Sequence, residues 1–309
     1  MLLWTVYLAI ALFVLVRGAD TFVNGATKIG AYFGLSKFAI GVFIVGFGTS
    51  LPELASSLAG VLSGAPELVL ANVVGSNITN ILLIVGVLAS IRAVKISQNL
   101  IQTELPIFVI ATVHFVASIY DGVIDRIEAL LLLATFAAYV WYLFNESKEE
   151  LVGDDVPVKP KSISTPVAFS LLGMGAVLVG AHYTVEMAVN LAGGLSIPIG
   201  LVSIAAIAIG TSLPELFVTL QAARSGESEM AIGNIFGSNA FNILLVAGIP
   251  GLFAALPADA VVMELGLPIL VAASFILFVS GLARQVMRWE GIMLLIFFMF
   301  FLVKLYAFI

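Results

Sequence analysis

The hexapeptide Gly48-Thr49-Ser50-Leu51-Pro52-Glu53 recurs as Gly210-Thr211-Ser212-Leu213-Pro214-Glu215, each copy deep in an apolar run. A carboxylate and a proline are both costly there. Hydrocarbon offers no counter-charge, and no partner for a backbone carbonyl that proline leaves without its N–H. The repetition extends outward from the hexapeptide. Displacing the chain by 162 residues lays 48–86 on 210–248 without a gap, and 20 of the 39 aligned pairs are identical. Beyond the hexapeptide these include Ser63-Gly64, Asn72, Gly75-Ser76-Asn77, Asn80 and Gly86, and Gly18-Ala19 matches Gly180-Ala181 at the same displacement. The chain therefore reads as one unit present twice.

Composition sets the solvent. Of 309 residues, 61% are hydrophobic and only 10% charged, against about 25% charged in a soluble domain. Mean hydropathy is +1.16. The apolar runs are continuous rather than alternating, which favours spanning helices over a β-barrel. Met1-Leu2-Leu3-Trp4 has no basic n-region, so the first segment reads as a retained helix rather than a cleaved signal. Cysteine is absent, which excludes disulfides and thiolate metal sites. No basic patch suggests a nucleic-acid partner, and no protein partner is evident.

Ten spans are predicted, at 2–17, 38–62, 68–90, 100–119, 126–145, 165–182, 199–222, 230–253, 261–282 and 290–308. A charged, proline-bearing linker at 146–164 separates a first five-helix repeat (1–145) from a second (165–309). Five is odd, so the second copy enters the membrane from the opposite side. The expected fold is an all-α membrane protein of ten transmembrane helices in two inverted repeats, an arrangement that lets a central site open to either face in turn. With both termini outside, 11 of the 13 basic residues fall on the inner side and only Arg126 and Lys304 outside. The linker is therefore expected in the cytoplasm and the protein in the cell (plasma) membrane.

If a helix ran through each hexapeptide, Pro52 and Pro214 would leave the carbonyls of Gly48 and Gly210 without partners. Thr49, Ser50, Thr211 and Ser212 add hydroxyls at the same depth, and Glu53 and Glu215 add carboxylates. Carbonyl, hydroxyl and carboxylate are hard oxygen donors, suited to Ca²⁺ and Na⁺ rather than soft metals. Ser50-x-x-Glu53 also matches a helix capping box, with proline tolerated in the first turn. In Gly75-Ser76-Asn77-Ile78-Thr79-Asn80 and its partner Gly237-Ser238-Asn239-Ala240-Phe241-Asn242, serine and the last asparagine are i and i+4 and share a helix face. Ser76, Asn80, Ser238 and Asn242 either complete the oxygen shell or only pack helices. Asn72 and Asn234 rank as supporting groups. One Ca²⁺ or two Na⁺ would neutralise the two glutamates, and protons are expected to compete. Glu104 and Glu264, just ahead of Pro106 and Pro268, read as helix N-terminal charges. His114 and His182 read as packing or interface histidines, and Asp121, Asp125 and Asp259 as outer-loop residues.

At these motifs the chain resembles the cation/Ca²⁺ exchanger superfamily, most of all its prokaryotic (archaeal-type) sodium/calcium exchangers, over nearly its whole length. The resemblance implies that the second, third, seventh and eighth spans carry the ligands. Glu53 and Glu215 would hold Ca²⁺ with the carbonyls of Thr49 and Thr211. The same carboxylates, with Ser50, Ser76, Ser212, Ser238 and carbonyls including those of Phe47 and Ile209, would hold Na⁺. The first and sixth spans would slide to switch access, exchanging three Na⁺ for one Ca²⁺. Ca²⁺ and Na⁺ would be substrates, and no cofactor is expected. Some relatives carry Asp where this chain has Asn80 or Asn242, so K⁺-independent transport is implied. The Gly-Asn-x-x-Glu signature of cation/proton exchangers is missing, which favours Na⁺ as the driving ion. A Ca²⁺/H⁺ exchanger is the alternative. A cation channel, or an intramembrane hydrolase using the two carboxylates as acid and base, lies further off.

Overall fold

The computed structural model describes residues 2–96, 98–146, 162–194 and 210–308. Ile209, the first part of the predicted span 199–222 and most of the linker lie outside the described residues. Helices follow one another almost throughout: α1 (Leu2–Phe33), α2 (Lys37–Leu62), α3 (Glu67–Ile91), α4 (Gln98–Ser118), α5 (Arg126–Glu146), α6 (Ser164–Gly194), α7 (Leu213–Arg224), α8 (Ser228–Gly251), α9 (Val262–Leu282) and α10 (Arg288–Phe308). Among the described residues, eight helices are long and apolar enough to cross a membrane. α8 and α3 are the most enclosed, whereas α5 and α10 turn large apolar side chains such as Leu130, Trp141, Trp289 and Ile296 outward, as lipid-facing helices do.

α1 and α6 are much longer than the spans 2–17 and 165–182 expected from hydropathy. The 32 residues of α1 make a rod of about 48 Å, more than the ~30 Å hydrocarbon core. Past Arg17 the apolar run is interrupted by Asp20, Thr21, Asn24 and Lys28. Their spacing instead places them on one face of a continuous helix. Thr21 donates to the carbonyl of Arg17 at 2.8 Å and Asn24 to that of Asp20 at 2.8 Å. Arg17 and Lys28 therefore lie within the rod and not in a connecting loop.

α1 and α6 meet backbone to backbone. A Cβ on Gly173 would fall 2.4 Å from the Phe22 nitrogen, and one on Gly18 or Gly180 would fall 2.7 Å from the nitrogen of Val177 or Leu15. The matched pair Gly18 and Gly180 thus has a packing reason.

Two short antiparallel ladders join the halves. β1 (Val94–Lys95) pairs with β4 (Gln285–Val286), and β2 (Val123–Ile124) with β3 (Leu256–Pro257). The displacement of 162 turns β1 into β3 and β2 into β4, so it exchanges one ladder for the other with register kept. The flanking bonds correspond as well: Ile96 N–H donates to the Arg284 carbonyl at 2.9 Å, and Ala258 N–H to the Gly122 carbonyl at 2.8 Å. Gly64 and Gly226 turn with φ of 81° and 83°. Gly122 (φ 89°) answers to Arg284, the one non-glycine at positive φ among the described residues (φ 61°).

Glu104 corrects an expectation. It lies seven residues into α4, is 3% exposed, and accepts a 3.0 Å hydrogen bond from the Tyr139 hydroxyl of α5. It is a buried inter-helix contact and not an N-terminal charge. Glu264 does stand in the first turn of α9. His114 joins α4 to Thr135 of α5 at 3.0 Å, while His182 is largely exposed, 3.8 Å from Glu186.

Candidate ion-binding site

α2, α3, α7 and α8 bring the duplicated motifs together at the centre. Thr49, Ser50, Glu53, Ser76, Asn77, Asn80, Ser212, Glu215, Ser238, Asn239 and Asn242 are all at most 3% exposed. Thr211 is half-buried. Contacts cross between the halves in matched pairs. The hydroxyls of Thr49 and Ser238 are 3.3 Å apart, and those of their counterparts Thr211 and Ser76 are 3.5 Å apart. Glu53 lies near Thr211 and Glu215 near Thr49, and the two carboxylates are within electrostatic reach of each other.

Unpartnered atoms repeat with the same pairing. Ser50 and Ser212 Oγ, both carboxylate oxygens of Glu53 and Glu215, Oδ1 of Asn77 and Asn239, and both amide atoms of Asn80 and Asn242 are buried without a hydrogen-bond partner. A buried polar group left unpaired costs about 1–3 kcal/mol, and an unpaired carboxylate far more. Among the described residues no basic side chain forms an ion pair with either glutamate. The unpaired atoms are mostly oxygens, the donor set a hard cation takes.

The capping-box alternative fails on this geometry. Ser50 and Glu53 lie inside α2, whose helix continues through Pro52. Ser212 does stand at the N-cap of α7, with Pro214 in the first turn, but its side chain caps nothing. A capping box does exist elsewhere: Asp125 accepts from Ile127 and Glu128 N–H while Glu128 accepts from Asp125 N–H at 2.9 Å.

The helix is altered near three of the four motif copies rather than broken at Pro52. α2 widens to a π-helix at Gly41–Gly46, just ahead of Phe47 and Thr49. α3 does so at Thr79–Ile84 and α8 at Asn242–Val246, on Asn80 and Asn242 themselves. Such turns displace the normal hydrogen-bond ladder and concentrate at functional sites. Nothing in the motif spacing signalled them. The ring of Phe47 stands edge-on to Phe241 at 5.6 Å, so only its backbone is left for the role implied by resemblance.

Asn72 and Asn234 are brackets. Asn72 donates to Ser57 Oγ (3.0 Å), Ser56 Oγ (3.1 Å) and the Glu53 carbonyl (3.1 Å), tying α3 to α2 at the glutamate. Asn234 donates to Thr219 Oγ1 (2.7 Å) and accepts from Thr49 (3.2 Å) and Ser238 (3.3 Å), joining α7, α8 and α2. The reading of the sequence passed over Asn77 and Asn239, although both are duplicated. Each donates back to its own helix, to the Val73 and Ile235 carbonyls at 2.7 Å, which leaves Oδ1 free.

Comparison with known proteins decides the family. The sodium/calcium exchanger protein family matches residues 3–145 and 165–307. The chain belongs to that family. It is 33% identical to sodium/calcium exchanger MaX1 of Methanosarcina acetivorans, over 97% of each chain. It is 36% identical to inner membrane protein YrbG of Escherichia coli, over 82% of this chain and 80% of that one. The solved structure of the sodium-calcium exchanger NCX_Mj, soaked with zero Na⁺ and Ca²⁺, superposes with a TM-score of 0.83 at 30% identity, covering 98% of this chain and 99% of that one. This is an integral, multi-pass membrane protein of the cation/Ca²⁺ exchanger kind, and its family is one of transporters rather than enzymes.

Proposed function

We propose that this exchanger moves Na⁺ and Ca²⁺ in opposite directions, electrogenically and without K⁺, through one site built by Glu53 and Glu215. The observation that carries the reading is two buried, facing carboxylates with no fixed counter-charge, ringed by unpartnered neutral oxygens. Such a pair needs a cation, and the cation has to be mobile. One Ca²⁺ balances the two negative charges. Three Na⁺ exceed them by one, so a three-for-one cycle moves one net charge. Ser50, Ser212, Ser76, Ser238, Asn80 and Asn242 supply neutral donors, with Thr49, Thr211 and the Phe47 backbone beside them. Asn72 and Asn234 hold the glutamate-bearing helices in place.

Alternating access fits the same frame. The ladder pairing exchanged by the 162-residue displacement supports two inverted repeats, 1–145 and 165–309, of five spans each, and the bias of the basic residues favours both termini outside with the 146–164 linker in the cytoplasm. The glycine contact between α1 and α6 presents few side-chain knobs, so the two rods slide as one gate.

Proteoliposomes loaded with Na⁺ test this. Ca²⁺ uptake is expected to follow the outward Na⁺ gradient, to respond to membrane voltage, and to be unchanged by K⁺. Protons are the rival counter-cations for two unpaired carboxylates. Uptake driven by a pH gradient and indifferent to Na⁺ would replace this reading with Ca²⁺/H⁺ exchange, and a unitary conductance would replace it with a channel.

A further inference from the structure

A cavity of about 1170 Å³ opens where the end of α3, the end of α7, the start of α8 and the α9–α10 turn meet, beside the β1–β4 ladder. Arg92, Lys95, Arg224 and Arg284 all line it, against a single acidic lining residue, Glu229. All four are exposed, and with Glu229 among them the lining keeps a net excess of three positive charges drawn from three separate segments, a field that attracts an anion. The walls behind them are apolar and include Ile91, Leu220 and Ala223.

The internal repeat shows that the fold does not require these charges. The displacement of 162 maps Arg92, Lys95, Arg224 and Arg284 onto Ala254, Pro257, Leu62 and Gly122, none of them charged. The general preference for basic residues on the cytoplasmic side explains which face carries them. It does not explain why they converge on one cavity. Arg284 in addition holds a left-handed φ of 61°, where the equivalent position has glycine. Arg284 is exposed in that turn, and it carries a backbone cost that glycine would avoid.

We propose that this cavity binds the headgroup of an anionic phospholipid. The guanidinium groups of Arg92, Arg224 and Arg284 would fork onto phosphate oxygens, Lys95 would add a point charge, and the first methylenes of the acyl chains would lie on Ile91, Leu220 and Ala223. The apolar walls favour a lipid over a free phosphate. The bound headgroup would bridge α3 and α7, one helix from each half of the ion site.

Native mass spectrometry of the purified, delipidated protein titrated with phosphatidylglycerol, phosphatidylcholine or inorganic pyrophosphate tests the assignment. The wild type is expected to bind phosphatidylglycerol at least ten-fold more tightly than phosphatidylcholine. The variant Arg92→Gln/Arg224→Gln/Arg284→Gly should lose that preference, and Arg126→Gln/Lys304→Gln, which removes the two basic charges assigned to the other face, should keep it. Arg284→Gly alone suits the local φ, so it gives a folded reporter with a partial loss should the triple variant fail to fold. Equal binding of the two lipids, retention of the preference by the arginine variants, or equal loss in the Arg126/Lys304 variant overturns the proposal. Pyrophosphate binding that depends on the arginines, without phosphatidylglycerol binding, also overturns it by making the ligand a soluble anion.

Discussion

Among the described residues, the two glutamates stand apart in having both carboxylate oxygens buried and unpartnered. Asp125 and Glu128 are tied to backbone N–H groups and Glu104 to Tyr139, whereas Glu53 and Glu215 are buried with all four oxygens free. Replacing either by glutamine retains a carbonyl oxygen in the same place and removes only charge. Glu53→Gln or Glu215→Gln is therefore expected to lower Ca²⁺ uptake at least 100-fold while the protein still purifies as a folded species. Full-rate uptake by either variant would rule the pair out as the ion site. The bracket asparagines act one step removed. Asn234→Ala strips Thr219, Thr49 and Ser238 of a shared partner, at about 1–3 kcal/mol per group left unpaired. It should weaken Ca²⁺ binding by about 10–100-fold, the range for groups that orient ligands, with calorimetry on the purified protein as the measure. Binding unchanged from wild type would make Asn234 mere packing. At this scale the sequence was informative because duplication marked the residues. What it lacked was the direction of each side chain, so Asn77 and Asn239 went unranked and Glu104 was placed at the wrong end of its role.

Elements were harder to read than residues. Hydropathy reports where apolar runs weaken, and in α1 it weakens at Arg17 although the helix continues to Phe33. The π-turns at Gly41–Gly46, Thr79–Ile84 and Asn242–Val246 were not marked by the motif spacing. Glycine carried information that the motif reading did not use. Gly173 and Gly175 are neighbours on α6 with opposite surroundings: a Cβ on Gly173 collides with the Phe22 backbone at 2.4 Å, while one on Gly175 meets nothing within 4 Å. A backbone atom cannot swing away as a side chain can, so Gly173→Ala has to push α1 off α6. Overpacking of this kind costs about 1–3 kcal/mol, and the thermal midpoint of the detergent-solubilised protein should fall. Gly175→Ala should leave it unchanged or raise it slightly, because alanine favours helix by up to about 1 kcal/mol over glycine. Equal midpoints for the two variants would mean that α1 and α6 are not in backbone contact.

At the scale of the whole molecule, the odd number of spans in each predicted half makes a geometric demand. Equivalent positions, 162 residues apart, have to emerge on opposite faces of the membrane. The family and the helical membrane class were legible from composition and the repeated motifs. The ladders that join the halves were not, being two residues long and paired across more than a hundred residues. Those ladders supply the argument for inversion. A ladder needs both its strands on one face, so the α3–α4 connection shares a face with the α9–α10 turn, and the α4–α5 turn shares one with the α8–α9 connection. If α4, the helix between β1 and β2, crosses the membrane once, the two ladders lie on opposite faces, and the displacement exchanges them. Ser63 and Ser225 offer a direct test. Both are exposed and equivalent, and each precedes a left-handed glycine, Gly64 or Gly226, so their local environments match. The chain has no cysteine, so Ser63→Cys and Ser225→Cys each introduce a single thiol in place of a hydroxyl of nearly the same size. In intact cells a membrane-impermeant maleimide should label Ser63→Cys at once and Ser225→Cys only after permeabilisation. Labelling of both from the same side would make the repeats parallel, and the shared site could then no longer be reached from the two faces by equivalent halves. The reverse order of labelling would keep the inversion and turn the whole molecule over, placing the termini and the basic cavity on the other side from that argued here.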